Sequence, residues 1–432
     1  MKIAILTLGC KVNQYESDAI AYALKERGHE VVFGVENADL FIVNTCAVTN
    51  EAEKKSRQMI AKVQKISPKA KILVCGCASQ KGHEAFLKNK NVVFVSGVAN
   101  KIKLVEKIEE EGQVFEIDEL PLEYNDTYIS RPSKTRAHIK IQDGCNNFCS
   151  YCIIPYLRGR SRSRSVVEIL NEVEALQKQA KEIVLTGIDI SDYKIDGEFA
   201  LGKLLKMLAD YNVRIRLGSL EQGVIKGEFL ETISEMKNLC PHFHLSLQSG
   251  SESVLKRMNR RYTPGEFYET VLKLKEIFVE PAITTDVIVG FPGETEEEFL
   301  ETVEFVKKVG FASIHVFPYS RRDGTVAARM KDLNGEIKKQ RVEILEKVNE
   351  KLKANYIKLS KKTPHSVLIE EKQGKYYVGH SENYIKCYIK AKKLEQNSFV
   401  NVKIKKKFED GALAKIVKIK GEKRKWVVCF AK

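Results

Sequence analysis

The sequence has no long apolar run. Nowhere do eighteen or more apolar residues follow one another, so we expect neither a membrane span nor a membrane partner. A positively charged start followed by an apolar core and a cleavage site is also missing, because residues 2–8 read directly as a strand. We therefore predict no signal peptide and a cytoplasmic protein.

The sequence has fewer acidic than basic residues. The chain of 432 residues has 57 Asp and Glu against 72 Lys and Arg, which gives a net charge of +15. Such an excess of positive charge points to a polyanionic partner. The length predicts two to four domains. Ten cysteines in an intracellular chain indicate metal or redox chemistry rather than disulfides.

Three of these cysteines share one short loop. Cys145, Cys149 and Cys152 have the spacing CxxxCxxC and follow a predicted strand over residues 137–142, with Gly144 at the turn. Thiolates favour iron–sulfur clusters or zinc. A structural zinc site usually needs four ligands in two separated pairs, and no fourth Cys or His lies nearby. Three ligands suit a four-iron cluster with one open iron, and a zinc knuckle with a distant fourth ligand is the alternative.

A second set of three cysteines is predicted from the fold of residues 1–125. Strands at 2–8, 39–44, 71–75 and 92–95 alternate with helices at 14–27 and 51–65, which indicates a parallel sheet with helices on both faces. Cys10, Cys46 and Cys77 each follow a strand. Because the carboxyl ends of parallel strands share one edge, we expect them to meet there. Cys75 competes for the third place, but we expect it to be buried in its strand.

The four remaining cysteines need no metal. A free buried cysteine behaves as a small hydrophobe. We apply this interpretation to Cys75, Cys240, Cys387 and Cys429.

The loop of Cys145, Cys149 and Cys152 resembles that of the radical S-adenosylmethionine (SAM) enzymes, and Tyr151 also fits that loop. The resemblance implies that the open iron binds SAM and delivers one electron, which breaks SAM to methionine and a 5′-deoxyadenosyl radical. Residues 7–17 (TLGCKVNQYES), 44–46 (NTC) and 76–80 (GCASQ) resemble the amino-terminal domain of methylthiotransferases. That resemblance implies a second [4Fe-4S] cluster on Cys10, Cys46 and Cys77.

Residues 131–360 are predicted to form the catalytic domain. Strands at 137–142, 182–186, 213–218, 242–248, 283–289 and 312–317 are separated by helices. Six such units are too few for a closed eight-unit barrel and suit the open six-unit barrel that the radical SAM resemblance implies. Polar and glycine-bearing turns follow the strands, where ligands bind in such barrels. By resemblance, the residues near SAM are Tyr151, Ser219, Glu221, Gln248, Gly290, Gly293 and Glu294.

Basic residues recur near the cluster loop. Residues 158–164 (RGRSRSR) and 256–262 (KRMNRRY) are the two runs. In a basic protein, phosphate contact by the first run is at least as plausible as a solvated face.

Residues 361–432 are predicted to form a small β-barrel of short alternating strands. They carry nineteen Lys and Arg against seven Asp and Glu, which is most of the excess charge of the chain. Aromatic residues are interleaved with the lysines, a combination that suits RNA. The placement resembles the RNA-binding TRAM domain that ends methylthiotransferases. A solubilising domain with core aromatics is the alternative; these aromatics are Tyr376, Tyr377, Tyr384, Tyr388 and Trp426.

The family resemblance implies a transfer of a methylthio group to one of three substrates. These are threonylcarbamoyl-adenosine in tRNA, isopentenyl-adenosine in tRNA and an aspartate of a ribosomal protein. Residues 8–13 (LGCKVN) and 315–325 (HVFPYSRRDGT) look most like the first group. Arg321 and Arg322 are then our candidates for binding the carboxylate of the threonylcarbamoyl group. We also expect an electron donor of flavodoxin or ferredoxin type and a sulfur source. A non-catalytic iron–sulfur protein that binds RNA or senses redox state is the alternative.

Overall fold

The computed structural model of the chain describes residues 1–124 and 130–418. No helix in these residues combines the length and the apolar character that a membrane crossing requires.

A six-stranded parallel sheet forms the first part of the chain. Its strands are β1 (Lys2–Thr7), β2 (Glu30–Phe33), β3 (Leu40–Thr45), β4 (Lys71–Gly76), β5 (Val92–Ser96) and β6 (Val114–Glu116). Its helices are α1 (Lys11–Glu26), α2 (Asn50–Ile66), α3 (Cys77–Lys81), α4 (Glu84–Leu87) and a 3-10 turn at Lys101–Val105. The strand order is β2-β1-β3-β4-β5-β6, and an apolar layer packs on each face.

The sequence predicted the four inner strands and missed β2 and β6. Both missed strands lie at an edge of the sheet, and both are partly exposed along their length. Edge strands face fewer apolar neighbours, so their sequence pattern is weak. The parallel α/β arrangement itself is confirmed.

The central part of the chain is an open barrel. Its strands are β7 (Ala137–Lys140), β8 (Gln142–Asp143), β9 (Arg162–Ser163), β10 (Glu182–Thr186), β11 (Lys194–Ile195), β12 (Glu198–Phe199), β13 (Arg214–Leu217), β14 (Ser219–Leu220), β15 (His242–Leu245), β16 (Ala282–Val289) and β17 (Ser313–Pro318). Its helices are α5 (Ile154–Arg158), α6 (Val166–Leu176), α7 (Leu201–Leu208), α8 (Gly227–Glu235), α9 (Glu252–Arg257), α10 (Pro264–Ile277), α11 (Glu296–Val309) and α12 (Gly335–Leu359), with 3-10 turns at Ile190–Asp192, Gln222–Val224 and Ala327–Arg329.

The barrel contains six parallel strand positions, as predicted. The order β7-β10-β13 continues through Gly218 into β14-β15-β16-β17, so β13 and β14 form one interrupted position. Within the described residues, no backbone pairing joins β7 to β17. The barrel is therefore open on that side, and α1 of the first part packs against β7 there.

The last part of the chain closes into a small barrel, which also confirms a prediction. Its strands are β18 (Pro364–Gln373), β19 (Tyr376–Ser381), β20 (Lys386–Ile389), β21 (Phe399–Phe408) and β22 (Gly411–Ile416), in the order β18-β19-β20-β22-β21. The last part of the predicted domain, residues 419–432, lies outside the described residues. The guanidinium groups of Arg214 and Arg216 donate to backbone carbonyls of this barrel, at Ser366 (2.9 Å) and Glu382 (3.0 Å). These bonds attach it to the central barrel.

Candidate active site

The first cysteine set lies on the loop that leaves β7. The short strands β8 and β9 pair antiparallel and fold this loop back on itself. Gly144 starts the loop with a φ of +73°, and a Cβ there would lie 1.9 Å from the carbonyl oxygen of Arg160. Only glycine fits that position. The backbone N–H of Cys152 donates to the carbonyl of Cys149 at 2.9 Å, which keeps the end of the loop compact.

The second cysteine set gathers at the carboxyl edge of the first sheet. Cys10 follows β1, Cys46 follows β3, and Cys77 begins α3 after β4. Cys46 lies close enough to Cys77 and Cys10 to interact with both electrostatically. Gly9 has a φ of +95°, and a Cβ on it would lie 2.7 Å from the Cys46 sulfur. The turn before Cys10 therefore packs directly on Cys46.

The other described cysteines are buried away from both sets. Cys75 lies inside β4 and packs on the opposite face of the sheet from Cys77. Cys240 and Cys387 are fully buried as well. Cys429 falls outside the described residues.

The chemistry of both sets fits a soft metal centre. Burial raises the pKa of Cys46 to about 11 and that of Cys145 and Cys152 to about 12. The free thiols are therefore protonated at neutral pH, and a metal centre that binds thiolates must displace protons. Each set offers three sulfur ligands, which suits an iron–sulfur cluster with one open iron.

Arg158 connects the two sets. It ends α5, just after the loop of the first set, and is fully buried. Its Nε lies 3.4 Å from the sulfur of Cys77, and its Nη2 donates to Asn13 at 2.9 Å. Its Nη1 donates to Glu16 at 3.0 Å and to Asp143 at 3.1 Å. One side chain thus links the cluster loop to the first sheet.

The charges around Arg158 form a buried network. Its further members are Lys101 and Lys140, whose ammonium groups lie 2.5 Å and 3.1 Å from Glu16. These cations outweigh the burial that opposes ionisation, and the pKa of Glu16 is held well below its usual range. The network places excess positive charge beside Cys10 and Cys77, where an anionic cluster needs it.

A second arginine serves the first set in the same way. Arg260 directs its Nη1 to the sulfur of Cys149 at 3.3 Å. Its Nη2 bonds to Glu221 and, at 3.2 Å, to the carbonyl of Ser246. Glu221, predicted near SAM, therefore lies next to the cluster loop and is already paired with a cation.

A cavity of about 550 Å³ opens beside the cluster loop. Its walls carry Asn147 of the loop and four carboxylates, which are Asp189, Asp192, Glu221 and Glu228. Burial, Glu221 and Asp192 raise the pKa of Asp189 to about 6, and Asn147 donates to it at 2.9 Å. Carboxylates in this position suit the cationic end and the ribose hydroxyls of SAM. Sequence reasoning placed Asp189 at a strand end but did not single it out.

The other residues predicted near SAM divide into two groups. Ser219 is exposed at the start of β14, Gln248 has a φ of +66° after β15, and Tyr151 packs against a small apolar cluster behind the loop. Ser219 and Gln248 thus lie at strand ends, where ligands bind in such barrels. Gly290, Gly293 and Glu294 form the turn after β16.

The carboxylate of Glu294 already has two partners within the protein. It accepts the N–H of Gly290 at 2.6 Å and pairs with Arg341 of α12 at 2.5 Å. Glu294 therefore shapes the glycine turn, and any contact to SAM would come from the backbone of the turn. The prediction that it lies near SAM remains a prediction.

The two arginines that were predicted to bind a carboxylate differ in their exposure to solvent. Arg321 is exposed. Arg322 is buried, with Nη1 2.5 Å from Asn50 and Nη2 2.7 Å from Glu53 of α2. Arg322 thus has a carboxylate partner inside the protein and joins the central barrel to the first sheet.

The basic run at 158–164 does not form a phosphate-binding face, and this expectation was wrong. Arg158, Arg162 and Arg164 are buried and paired with carboxylates. Only Arg160 is exposed, with its guanidinium 4.5 Å from the ring centre of Phe148. A sequence run shows charge but not which partners the fold brings to it.

A second cavity, of about 510 Å³, lies between the central barrel and the small barrel. Lys11, which directly follows Cys10, is part of its wall. Further lining residues include His242, His244 and His315 of the barrel strands and Tyr384 of the small barrel. The ring of Tyr384 stacks on His242 with centres 4.5 Å apart. This cavity connects all three parts of the chain, and sequence reasoning did not predict it.

The fold and the two cysteine sets define a radical SAM enzyme. Residues 139–306 match the Radical SAM superfamily, and residues 2–97 match "Uncharacterized protein family UPF0004". A radical S-adenosylmethionine methyltransferase, TsrM from Kitasatospora setae, shares the fold, with a TM-score of 0.51, 13% identity and 76% of each chain covered.

The relatives narrow the class to one family. The chain is 38% identical to Threonylcarbamoyladenosine tRNA methylthiotransferase MtaB of Bacillus subtilis, over 96% of this chain and 97% of that protein. It is 35% identical to tRNA-2-methylthio-N(6)-dimethylallyladenosine synthase of Desulfitobacterium hafniense, over 80% of both chains. The chain therefore belongs to the radical SAM methylthiotransferase family.

Proposed function

We propose that this protein converts N6-threonylcarbamoyladenosine, next to the anticodon of tRNA, to its 2-methylthio derivative. The observation that carries the proposal is that Arg158, which ends the helix after the first cysteine loop, contacts both the sulfur of Cys77 in the second set and the carboxylate of Asp143 just before that loop. A site built from two domains in this way suits a reaction that joins radical formation to sulfur delivery. The names of the relatives that cover nearly the whole chain support the choice of substrate.

Each set of residues then has a role. Cys145, Cys149 and Cys152 would hold one [4Fe-4S] cluster, and Cys10, Cys46 and Cys77 a second. When bound, the first cluster with SAM supplies a radical for an unreactive C–H bond, and the second holds the sulfur. Asp189 and Glu221 would bind SAM, and Arg260 would hold Glu221 in place.

The remaining partners follow from this chemistry. The exposed lysines of the small barrel would contact the phosphates of tRNA, as a TRAM-like domain would. A tRNA substrate would place the enzyme in the cytoplasm. An electron donor of flavodoxin or ferredoxin type and a sulfur source would complete the reaction.

Iron content tests the two clusters. Anaerobically reconstituted protein should contain about eight irons, from two four-iron clusters. Replacing Cys145, Cys149 and Cys152 by Ala should leave about four, and the matched replacement of Cys75, Cys240 and Cys387 should leave all eight. Stoichiometric zinc with little iron would contradict the assignment.

Mass spectrometry of tRNA nucleosides tests the reaction. Cells that lack this gene should lose the 2-methylthio form of threonylcarbamoyl-adenosine, and the intact gene should restore it. The Cys46→Ala gene should not restore it, because the second cluster is incomplete. Restoration by that variant would overturn the role of the second set.

A further inference from the structure

The cavity between the two barrels contains an unpaired cation. Four of its lining residues are lysines, and three of these have carboxylate partners: Lys353 with Glu350 at 3.3 Å, Lys386 with Asp410 at 2.8 Å, and Lys407 with Glu350. Within the described residues, Lys11 has no hydrogen-bond or ion-pair partner. Its position in the wall therefore offers a free ammonium group to whatever enters.

The charges around Lys11 do not neutralise it. The nearby guanidinium groups belong to Arg136 and Arg216, which have the same sign. Glu182 also interacts with Lys11, but its carboxylate already accepts from Arg214 at 2.6 Å and from Arg216 at 2.7 Å. An anion that enters the cavity would thus relieve repulsion as well as gain an ion pair.

Part of the cavity wall consists of polar side chains. His242 and His244 both lie 3.1 Å from the hydroxyl of Thr284. The carboxylate of Asp286 lies 3.4 Å from His244 and 3.1 Å from His315. Hydroxyl and urea groups of a ligand can form further hydrogen bonds with these side chains, and an isopentenyl chain cannot.

The position of Lys11 next to Cys10 in the sequence indicates which part of a substrate it would contact. It follows Cys10 directly, so it stands beside the second cysteine set while its side chain lines the cavity. The threonylcarbamoyl group is attached through N6, on a different edge of the base from C2. In the proposed reaction this group would have to extend past Cys10 into the cavity while C2 stays beside the cysteines.

We infer that Lys11 binds the carboxylate of the threonylcarbamoyl group and thereby selects this substrate over isopentenyl-adenosine. The inference rests on the proposed function and names the residue that decides its specificity. Lys11 takes the role that the sequence suggested for Arg322, whose guanidinium is held by Glu53 and Asn50. The hydroxyl and urea groups of the substrate meet the histidine and threonine side chains opposite.

Binding of four RNA stem-loops to the cluster-loaded enzyme tests the inference. They bear threonylcarbamoyl-adenosine, its neutral methyl ester, isopentenyl-adenosine or unmodified adenosine. For wild type, the free acid should bind more tightly than the ester. Lys11→Met should weaken binding of the free acid about tenfold to a hundredfold, the loss expected for a hydrogen bond to a charged group. Its binding of the ester and of unmodified RNA should not change.

The controls separate specificity from damage to the site. Lys353→Met, whose lysine lines the same cavity but is paired with Glu350, should bind all four RNAs as wild type does. Lys11→Arg should keep a preference for the free acid over the ester. Lys11→Met should retain the full iron content, which shows that Cys10 still holds a cluster, and RNA-independent cleavage of SAM, which shows that the first set is intact.

Two outcomes distinguish the inference from the proposed function. The inference alone is wrong if wild type methylthiolates threonylcarbamoyl-adenosine but Lys11→Met binds the free acid as tightly as wild type does. It is also wrong if Lys11→Met weakens the binding of all four RNAs by the same factor. If wild type methylthiolates only isopentenyl-adenosine, the proposed function is wrong and the inference with it.

Discussion

Arg158 and Arg260 each direct an N–H group toward a cysteine sulfur, one at each cysteine set. Hydrogen bonds and positive charge beside a cluster stabilise its reduced form, because reduction adds negative charge. Neither arginine was singled out from the sequence. Each lies in a basic run that could equally have faced solvent or RNA.

Replacing Arg158 should lower the reduction potential of the cluster that we propose on Cys10, Cys46 and Cys77. Arg158→Met removes both the N–H to Cys77 and a positive charge, and Arg158→Lys removes only the first. The potential, measured by titration with electron paramagnetic resonance, should fall more for Met than for Lys. Breaking the pairs with Glu16 and Asp143 should also destabilise the protein, by about 3–5 kcal/mol for a buried pair.

Arg160→Met provides the matched control. Its guanidinium is exposed and lies over the ring of Phe148. The potential of the second cluster should stay at the wild-type value in this variant. An unchanged potential in Arg158→Met as well would contradict the role assigned to Arg158.

Asp18 makes stability depend on pH. Burial raises its pKa to about 6, and its carboxylate accepts from Gln14 at 2.9 Å and from Ser133 at 2.6 Å. Because the folded pKa lies above the unfolded value of about 3.9, the folded state binds the proton more tightly. The stabilisation by protonated Asp18 is therefore lost as pH rises from about 4 through 6.

Asp18→Asn should stabilise the protein at pH 7.5. Asn removes the buried charge and keeps an oxygen that can accept both bonds, so the free energy of unfolding should rise by about 1–3 kcal/mol. The gain should be smaller at pH 5, where wild-type Asp18 is largely protonated. Denaturant unfolding at both pH values measures it, with the exposed Asp210→Asn as control. An equal gain at both pH values would refute the explanation.

At the scale of elements, the cysteines of the candidate site follow the carboxyl ends of strands. Cys10, Cys46 and Cys77 could be predicted because parallel strands share a carboxyl edge, and Cys145 to Cys152 because their spacing is local. The interrupted strand β13–β14 and the edge strands β2 and β6 could not. Their pairing depends on neighbours distant in sequence.

Strand β21 carries the charge that should meet RNA. Lys403, Lys405 and Lys406 are exposed on it, whereas Lys407 is paired with Glu350. Tyr377 and Tyr388 are buried, so they belong to the core, as the alternative interpretation had it, and cannot stack on bases. Trp426 lies outside the described residues. The lysines thus remain the main candidates for contact.

Replacing Lys403, Lys405 and Lys406 together by Gln should weaken tRNA binding. Each lost phosphate contact should lower the slope of log affinity against log salt by about 0.7–0.9. The same change at Lys62, Lys65 and Lys69, which are exposed on the first part of the chain, should leave the slope unchanged. Equal slopes for both variants would assign the charge of the small barrel to solubility.

At the scale of the whole molecule, the open side of the central barrel is covered by α1, and the small barrel covers the cavity beside it. The sequence indicated three parts, and their limits at residues 125 and 360 stay predictions. What it could not indicate is the cavity where all three meet, because Lys11, His244 and Tyr384 share no local pattern. Only the packing of the parts brings them together.

Competition between two substrates tests the central claim most directly. Reconstituted enzyme with SAM, sulfide and an electron donor receives equal amounts of tRNA bearing threonylcarbamoyl-adenosine and tRNA bearing isopentenyl-adenosine. Mass spectrometry of the digested RNA then measures both 2-methylthio products over time. We predict that the threonylcarbamoyl product forms and that the isopentenyl product stays at the level of an enzyme-free control. Preferential methylthiolation of the isopentenyl tRNA would contradict the account.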